Sequence, residues 1–243
     1  MKYLVQTNNI TEEKNKDLDY NRVILNTENK QIYVISKPTY HLVDLGLPSG
    51  TLWMDRNIGA KEITDSGLYF AWGETQGYTA DEVGVKKQFT WYDYKFGEYE
   101  KLSKYNGTDG LIELELSDDA AYKYTNGKCK MPTKELIEEL LDSTNAEYTS
   151  INQVNGYLLH STVNSNTIFL PCSGYVKDSE VANCNIVGRM LCNKISFFSS
   201  GEINTYYNSF LQFTESEITM SDLYYYNVGR CCGQSVRGVM IKQ

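Results

Sequence analysis

Histidine is scarce in this 243-residue chain, which holds only His41 and His160. Scarce histidine works against histidine-based acid–base catalysis and against histidine-ligated metals. The six cysteines include no Cys-x-x-Cys pair, the spacing used by zinc fingers and thioredoxin-like redox sites. A P-loop, a Gly-x-Ser-x-Gly elbow and a dinucleotide-binding fingerprint are also absent from the sequence. The chain is therefore expected to bind rather than to catalyse, with no cofactor and no metal.

Positive charge and long apolar runs are also in short supply. Lys and Arg number 23 against 31 Asp and Glu, which gives a net charge of −8. An acidic chain repels phosphate backbones, so we expect no nucleic-acid partner. The sequence has no 18-residue apolar stretch, so we expect no membrane insertion. The apolar start, Tyr3–Val5, is too short for a secretory signal, which predicts synthesis in a cytoplasm with reduced cysteines.

Tyrosine, in contrast, is abundant, with 20 copies. Tyrosine is a favoured contact residue because its large, stiff and amphipathic side chain loses little entropy on binding. The composition therefore favours a binding surface.

The first 39 residues differ from the rest. Residues 22–26 and 31–36 are predicted strands, and residues 27–30 have the composition of a turn. A lone hairpin is marginally stable in water, so it must pack on another part of this chain, on a copy of itself or on another protein. We therefore predict an attachment or oligomerisation segment over residues 1–39, followed by one domain over residues 40–243.

Residues 40–243 alternate short apolar runs with Gly, Asn and Ser turns, which indicates many short strands. A helix is predicted over residues 133–141, with Thr133 as its N-cap, and a shorter capped helix over residues 117–122. About two helices among short antiparallel strands define an α+β class. Trp53, Trp72 and the aromatic residues of 90–96 form a candidate second aromatic platform, although a position in the core is the stronger expectation for Trp53 and Trp72.

Several ordered motifs resemble the Fibrobacter major paralogous domain family, which is found in Bacteroidetes and their phages. The resemblance covers roughly residues 41–243. Its motifs are Val43–Trp53, Asn57–Ala60, Tyr69–Thr75, Met131–Thr133, Ile168–Pro171 with Gly174–Tyr175, Phe198–Ser200 and Gly233–Arg237.

The resemblance implies a C-type-lectin-like fold, which is shared with phage tropism determinants and formylglycine-generating enzymes. The Glu-Pro-Asn, Gln-Pro-Asp and Trp-Asn-Asp sequences of calcium-dependent sugar binders are absent, so a calcium site is not expected. The enzymes need two copper-binding cysteines a few residues apart. Here Cys231 and Cys232 are adjacent, and we expect their side chains to diverge, with one thiol buried and one exposed. Glu74, in the Trp-Gly-Glu-Thr motif, is expected to fix a loop through backbone hydrogen bonds.

The segment before the closing motif is rich in tyrosine and amides. In related phage and bacterial proteins this segment is a binding surface, and in some it is diversified by a retroelement that enriches Asn, Tyr, Ser and Phe. Tyrosine faces can stack on sugar rings, while hydroxyl and amide groups supply hydrogen bonds. The predicted ligand-binding residues are Tyr206, Tyr207, Asn208, Phe210, Gln212, Tyr224, Tyr225, Tyr226 and Asn227.

These observations predict a fibre-type phage virion protein that is exposed on the particle after host lysis. Residues 1–39 would contact other virion proteins and form a homotrimer, and the domain would bind a bacterial surface glycan or protein. Three other interpretations are open: a capsid or tail decoration protein, a retroelement-diversified binding protein, and an enzyme of the formylglycine-generating type.

Overall fold

The computed structural model describes residues 3–4, 20–26, 31–36, 40–221 and 229–241. The chain divides into two compact units, Met1–Thr39 and Tyr40–Gln243. The described part of the first unit contains β1 (Tyr3–Leu4), β2 (Tyr20–Asn26) and β3 (Gln31–Ser36). Strand β3 pairs antiparallel with β2 on one side and with β1 on the other. The predicted hairpin is thus confirmed and is extended by a short third strand.

The second unit combines short strands with two α-helices among its described residues, which confirms the α+β class. The helices are α1 (Ala120–Tyr124) and α2 (Lys134–Asp142), and 3₁₀ helices cover Ala80–Glu82 and Trp91–Asp93. The strands are β4 (Leu42–Asp44), β5 (Thr51–Met54), β6 (Tyr69–Phe70), β7 (Thr144–Ile151), β8 (Val154–Ser161), β9 (Thr167–Pro171), β10 (Tyr175–Lys177), β11 (Glu180–Ala182), β12 (Gly188–Phe197), β13 (Ile203–Phe213), β14 (Ile218–Ser221), β15 (Gln234–Ser235) and β16 (Val239–Ile241).

Four small sheets organise these strands. The largest has the order β14-β13-β12-β15-β6, in which β12 and β15 run parallel and the other neighbours antiparallel. Strands β7, β8 and β9 form an antiparallel meander, and β10 pairs with β11. The remaining sheet has the order β16-β5-β4, so the opening strands of this unit pair with its closing strand.

The core contains both tryptophans that the sequence assigned to it, since Trp53 and Trp72 are fully buried. Strand β9 is buried at four of its five positions, which explains its continuous apolar run instead of an alternating one. Burial of apolar side chains, these large rings among them, supplies the main favourable free energy of folding.

Both predicted helices are present, with adjusted bounds. The Thr133 hydroxyl accepts the Leu136 N–H at 3.2 Å, as an N-cap should, and α2 begins one residue later. Helix α1 begins at Ala120 and not at residue 117, because Asp119 is its N-cap and accepts the Tyr122 N–H at 2.9 Å.

Arg237 joins the closing motif to the opening of the domain. Its fully buried guanidinium donates to Asn57 Oδ1 through Nε at 3.2 Å and Nη2 at 3.0 Å. Asn57 in turn donates to the Ser66 carbonyl at 3.1 Å. The Ile58 N–H also donates to the Val236 carbonyl at 2.8 Å. Burial lowers the pKa of Arg237, so the amide oxygen of Asn57 is important for keeping this charge solvated.

We predict that Asn57→Ala lowers the free energy of unfolding by about 3 kcal/mol, because a buried charged donor loses both bonds to its acceptor. Urea denaturation of the purified protein measures the change. Asn164→Ala is the control, since its side chain also bonds a carbonyl, that of Asp44, but at an exposed position. An equal loss in the two variants would contradict the role given to Asn57.

Candidate aromatic binding site

Three aromatic side chains from distant parts of the sequence meet at the surface of the second unit. The rings of Tyr99 and Tyr206 stack with centroids 4.2 Å apart. Trp91 contacts both edge-on, at 5.6 Å from Tyr99 and 6.1 Å from Tyr206. We call Trp91, Tyr99 and Tyr206 the aromatic cluster. Tyr99 is 49% exposed, and Tyr92, which follows Trp91, is 86% exposed.

A row of edge-to-face ring contacts connects this cluster to the core. Each contact has the perpendicular geometry that aromatic quadrupoles favour. Centroid distances along the row are 5.5 Å for Trp91–Tyr94, 5.6 Å for Tyr94–Phe96, 5.3 Å for Phe96–Tyr105 and 5.0 Å for Tyr105–Trp72. The exposed rings therefore pack on buried rings, and this packing limits the motion of the exposed side chains.

The side chain of Arg230 packs against the buried rings of this row and holds them in place. Its buried guanidinium donates to the carbonyls of Tyr105 at 2.8 Å and Lys104 at 2.9 Å. It also lies 5.5 Å from the Trp72 ring and 5.4 Å from the Tyr94 ring. Its backbone N–H donates to the Tyr206 carbonyl at 3.0 Å, so Arg230 ties the cluster to the core. Burial lowers the pKa of this guanidinium.

The Trp-Gly-Glu motif builds the loop that carries Trp91. Glu74 Oε1 accepts the Lys95 backbone N–H at 3.0 Å and pairs with Lys87 Nζ at 3.0 Å. Glu74 thus fixes a loop through a backbone hydrogen bond, which confirms the role predicted for it. The Lys87 ammonium also donates to the Asp93 carbonyl at 2.5 Å, which holds the 3₁₀ helix of Trp91 in place.

A bulge in β13 explains why Tyr206 and Tyr207 reach the surface. Asn204 pairs with Ser196 and Asn208 pairs with Ile195, so the three residues between them have no partner in β12. Bulges re-aim side chains locally and are common next to functional sites. Tyr206 and Tyr207 are accordingly half-buried, and burial raises the pKa of Tyr207.

Three predicted contact residues are buried, and the prediction that they touch a ligand is wrong. Asn208, Phe210 and Gln212 are only 1%, 2% and 4% exposed. Strand β13 lies between β12 and β14, and its C-terminal half is covered on both faces. Gln212 Oε1 there accepts Arg189 Nε at 3.0 Å, so this amide serves a buried hydrogen bond.

The other four predicted contact residues, Tyr224, Tyr225, Tyr226 and Asn227, lie outside the described residues. Sequence reasoning placed Trp91 and Tyr92 in a separate platform and missed Tyr99. Only the fold brings Trp91 and Tyr99 to Tyr206. The available signal was the density of aromatic residues over 91–99, which alternates with charged residues.

The structure corrects the prediction for the adjacent cysteines. Cys231 and Cys232 are both buried, so the exposed thiol expected from the sequence is absent. The segment forms a turn instead of an extended strand, since the Cys232 N–H donates to the Gly229 carbonyl at 2.9 Å. The neighbouring Cys232 thiol and burial raise the pKa of Cys231, which keeps that thiol protonated.

The described residues contain no group of three or more His, Cys, Asp or Glu side chains placed to hold a metal ion. Within that part of the chain, no helix is long and apolar enough to cross a membrane. No protein-family model, curated protein or solved structure matches this sequence. The geometry of the site therefore carries the functional argument.

We predict that Gly229→Ala displaces Trp91, because a Cβ there would lie 2.8 Å from the Trp91 ring. The near-ultraviolet circular dichroism of the aromatic cluster should weaken while the far-ultraviolet spectrum is retained. Val85→Ala is the control, since this side chain is 81% exposed and removing its methyl groups should disturb no packed ring. Unchanged aromatic signals in Gly229→Ala would contradict the close contact between Gly229 and Trp91.

Proposed function

We propose that this chain is a fibre-type phage virion protein whose second unit is a C-type-lectin-like domain that binds a bacterial surface glycan or protein. The aromatic cluster, with the neighbouring exposed ring of Tyr92, is the observation that carries the proposal. It supplies ring faces for stacking on sugars or apolar side chains, and phenol hydroxyls for hydrogen bonds.

The packing that holds the aromatic cluster in place favours a role in binding. A side chain that is already ordered before a ligand arrives loses little conformational entropy when the ligand binds. The stacked pair Tyr99–Tyr206 and the edge contact of Trp91 order these rings in the free protein. Tyr92 is the most exposed large apolar side chain at this surface, at 86%. Large exposed aromatic groups on a rigid support are typical of interaction sites.

Membership of the Fibrobacter major paralogous domain family is part of this proposal. Motifs of the resemblance fall on structurally central elements: Trp53 on β5, Trp72 at the base of the ring row, and Thr133 at the start of α2. The closing motif supplies Arg237, whose side chain bonds Asn57 of an opening motif. Motifs that are distant in the sequence but pack in one core are consistent with a common fold.

The first unit has the role of attachment and assembly in this proposal. Its described strands form one small antiparallel sheet, and so few strands bury little apolar surface by themselves. Contacts with other virion proteins, and with two further copies of the chain, would supply the missing burial. A homotrimer is the assembly we propose.

We predict that Tyr92→Ala and Tyr99→Ala together reduce binding to host cells by about tenfold or more, since each buried aromatic contact is worth on the order of 1 kcal/mol. Fluorescently labelled protein is titrated onto a panel of Bacteroidetes strains, and the variant is compared on the strains that bind. Tyr122→Ala, a half-buried tyrosine on α1, is the matched control.

Equal binding by the double variant and the control would contradict a role of the aromatic cluster in binding host cells. Normal binding combined with failed incorporation of the double variant into particles would instead favour the decoration protein.

We predict that the full chain is a trimer and that a chain starting at Thr39 is a monomer. Mass photometry distinguishes them, because the trimer has three times the 27.8 kDa mass of one chain. A trimer in both cases would place the assembly contacts in the second unit and contradict the role of the first.

A further inference from the structure

A shallow cleft of about 390 Å³ lies on the second unit, outside the aromatic cluster. Three chain segments line it: the β7–β8 hairpin with Tyr148 and Asn155, the loop after β11 with Asn185, and the β13–β14 turn with Thr214, Glu215 and Ser216. The volume is within the range of small-molecule sites. No predicted contact residue belongs to this lining.

The amide wall of the cleft is held in a fixed arrangement. Asn185 adopts a left-handed backbone conformation, with φ of 64°, and its N–H donates to the Cys172 carbonyl at 2.7 Å. Its Oδ1 accepts the Asn155 N–H at 2.6 Å, and its carbonyl accepts Asn155 Nδ2 at 3.1 Å. Asn185 Nδ2 donates to the Gln153 carbonyl at 3.3 Å. Such cross-bonding orders both amides before any ligand arrives.

Tyr148 forms the aromatic wall. Its ring meets Tyr157 edge-on at 5.4 Å, and Tyr157 meets Phe213 at 6.0 Å, so the ring stands on the core. Burial, the Cys172 thiol and the Glu215 carboxylate all raise the pKa of Tyr148. Tyr148 and Glu215 both line the cleft, so one ligand can contact both side chains.

We propose that this cleft binds a neutral sugar residue. An aromatic ring suits the apolar face of a pyranose, while amide, hydroxyl and carboxylate groups suit its hydroxyls. The lining contains no Lys, Arg or His and one carboxylate, so a phosphate or another anion would be repelled. Glycoside hydrolysis generally uses a pair of carboxyl groups. The lining has only one, which favours binding of a sugar over its hydrolysis.

The cleft is separate from the aromatic cluster, and the inference does not depend on the proposed function. Tyr206 lies in the first half of β13, whereas Thr214 directly follows the strand, and no residue of the aromatic cluster belongs to the lining of the cleft. Each can therefore be tested without disturbing the other.

The experiment is a titration of the full chain, labelled with nitrogen-15, with four neutral disaccharides: maltose, cellobiose, lactose and N,N′-diacetylchitobiose. At least one should shift the backbone amide signals of Asn155, Asn185 and Ser216, with a dissociation constant on the order of 1 mM. Tyr148→Ala should weaken that binding about tenfold, whereas Tyr148→Phe, which keeps the ring, should retain it. Glucose 6-phosphate should give no shift at these amides.

Two further variants separate folding and location from binding. Ser216→Arg fills the cleft from an exposed turn, so it should abolish the shifts even if Tyr148→Ala perturbs the hairpin. Tyr122→Ala, on α1 and outside both sites, should leave the affinity unchanged. The proposal is overturned if none of the four sugars shifts these amides at about 50 mM. It is also overturned if glucose 6-phosphate binds equally well, or if binding survives both Tyr148→Ala and Ser216→Arg.

Discussion

Two buried guanidinium groups determine how the second unit closes. Arg230 and Arg237 are fully buried and donate to backbone carbonyls and to the Asn57 amide oxygen. Burying a charge is costly unless hydrogen bonds replace its hydration, so each arginine requires its acceptors to be held in place. The acceptors lie more than 100 residues earlier in the chain, at residues 57 and 104–105. The two arginines therefore fix the positions of segments from the first half of the chain.

The aromatic cluster follows from this constraint. Arg230 bonds Tyr206 through its backbone and lies over Trp72 and Tyr94 through its side chain. The bulge in β13 and the loop fixed by Glu74 then bring Tyr206 and Trp91 together. A row of ring contacts runs from fully buried Trp72 to exposed Tyr99, so the surface rings pack on the core.

Strand β13 connects the two surfaces to which we assign binding. Its N-terminal half contributes Tyr206 to the aromatic cluster, and its C-terminal end leads into the turn that lines the cleft. Between these two ends the strand is buried, with Phe210 in the core and Gln212 bonded to Arg189.

The sequence by itself determined the local elements. Apolar spacing and the Thr133 cap located α2, continuous apolar runs located β9 and the core tryptophans, and a turn between two β-rich runs located the first hairpin. Which tyrosines are exposed was decided only by the tertiary structure, because β13 is an interior strand and its bulge frees Tyr206 and Tyr207 while the following residues are buried. Tyr99 and the cleft were unpredictable for the same reason: their partners are distant in sequence, and only the buried arginines and the paired strands bring them together.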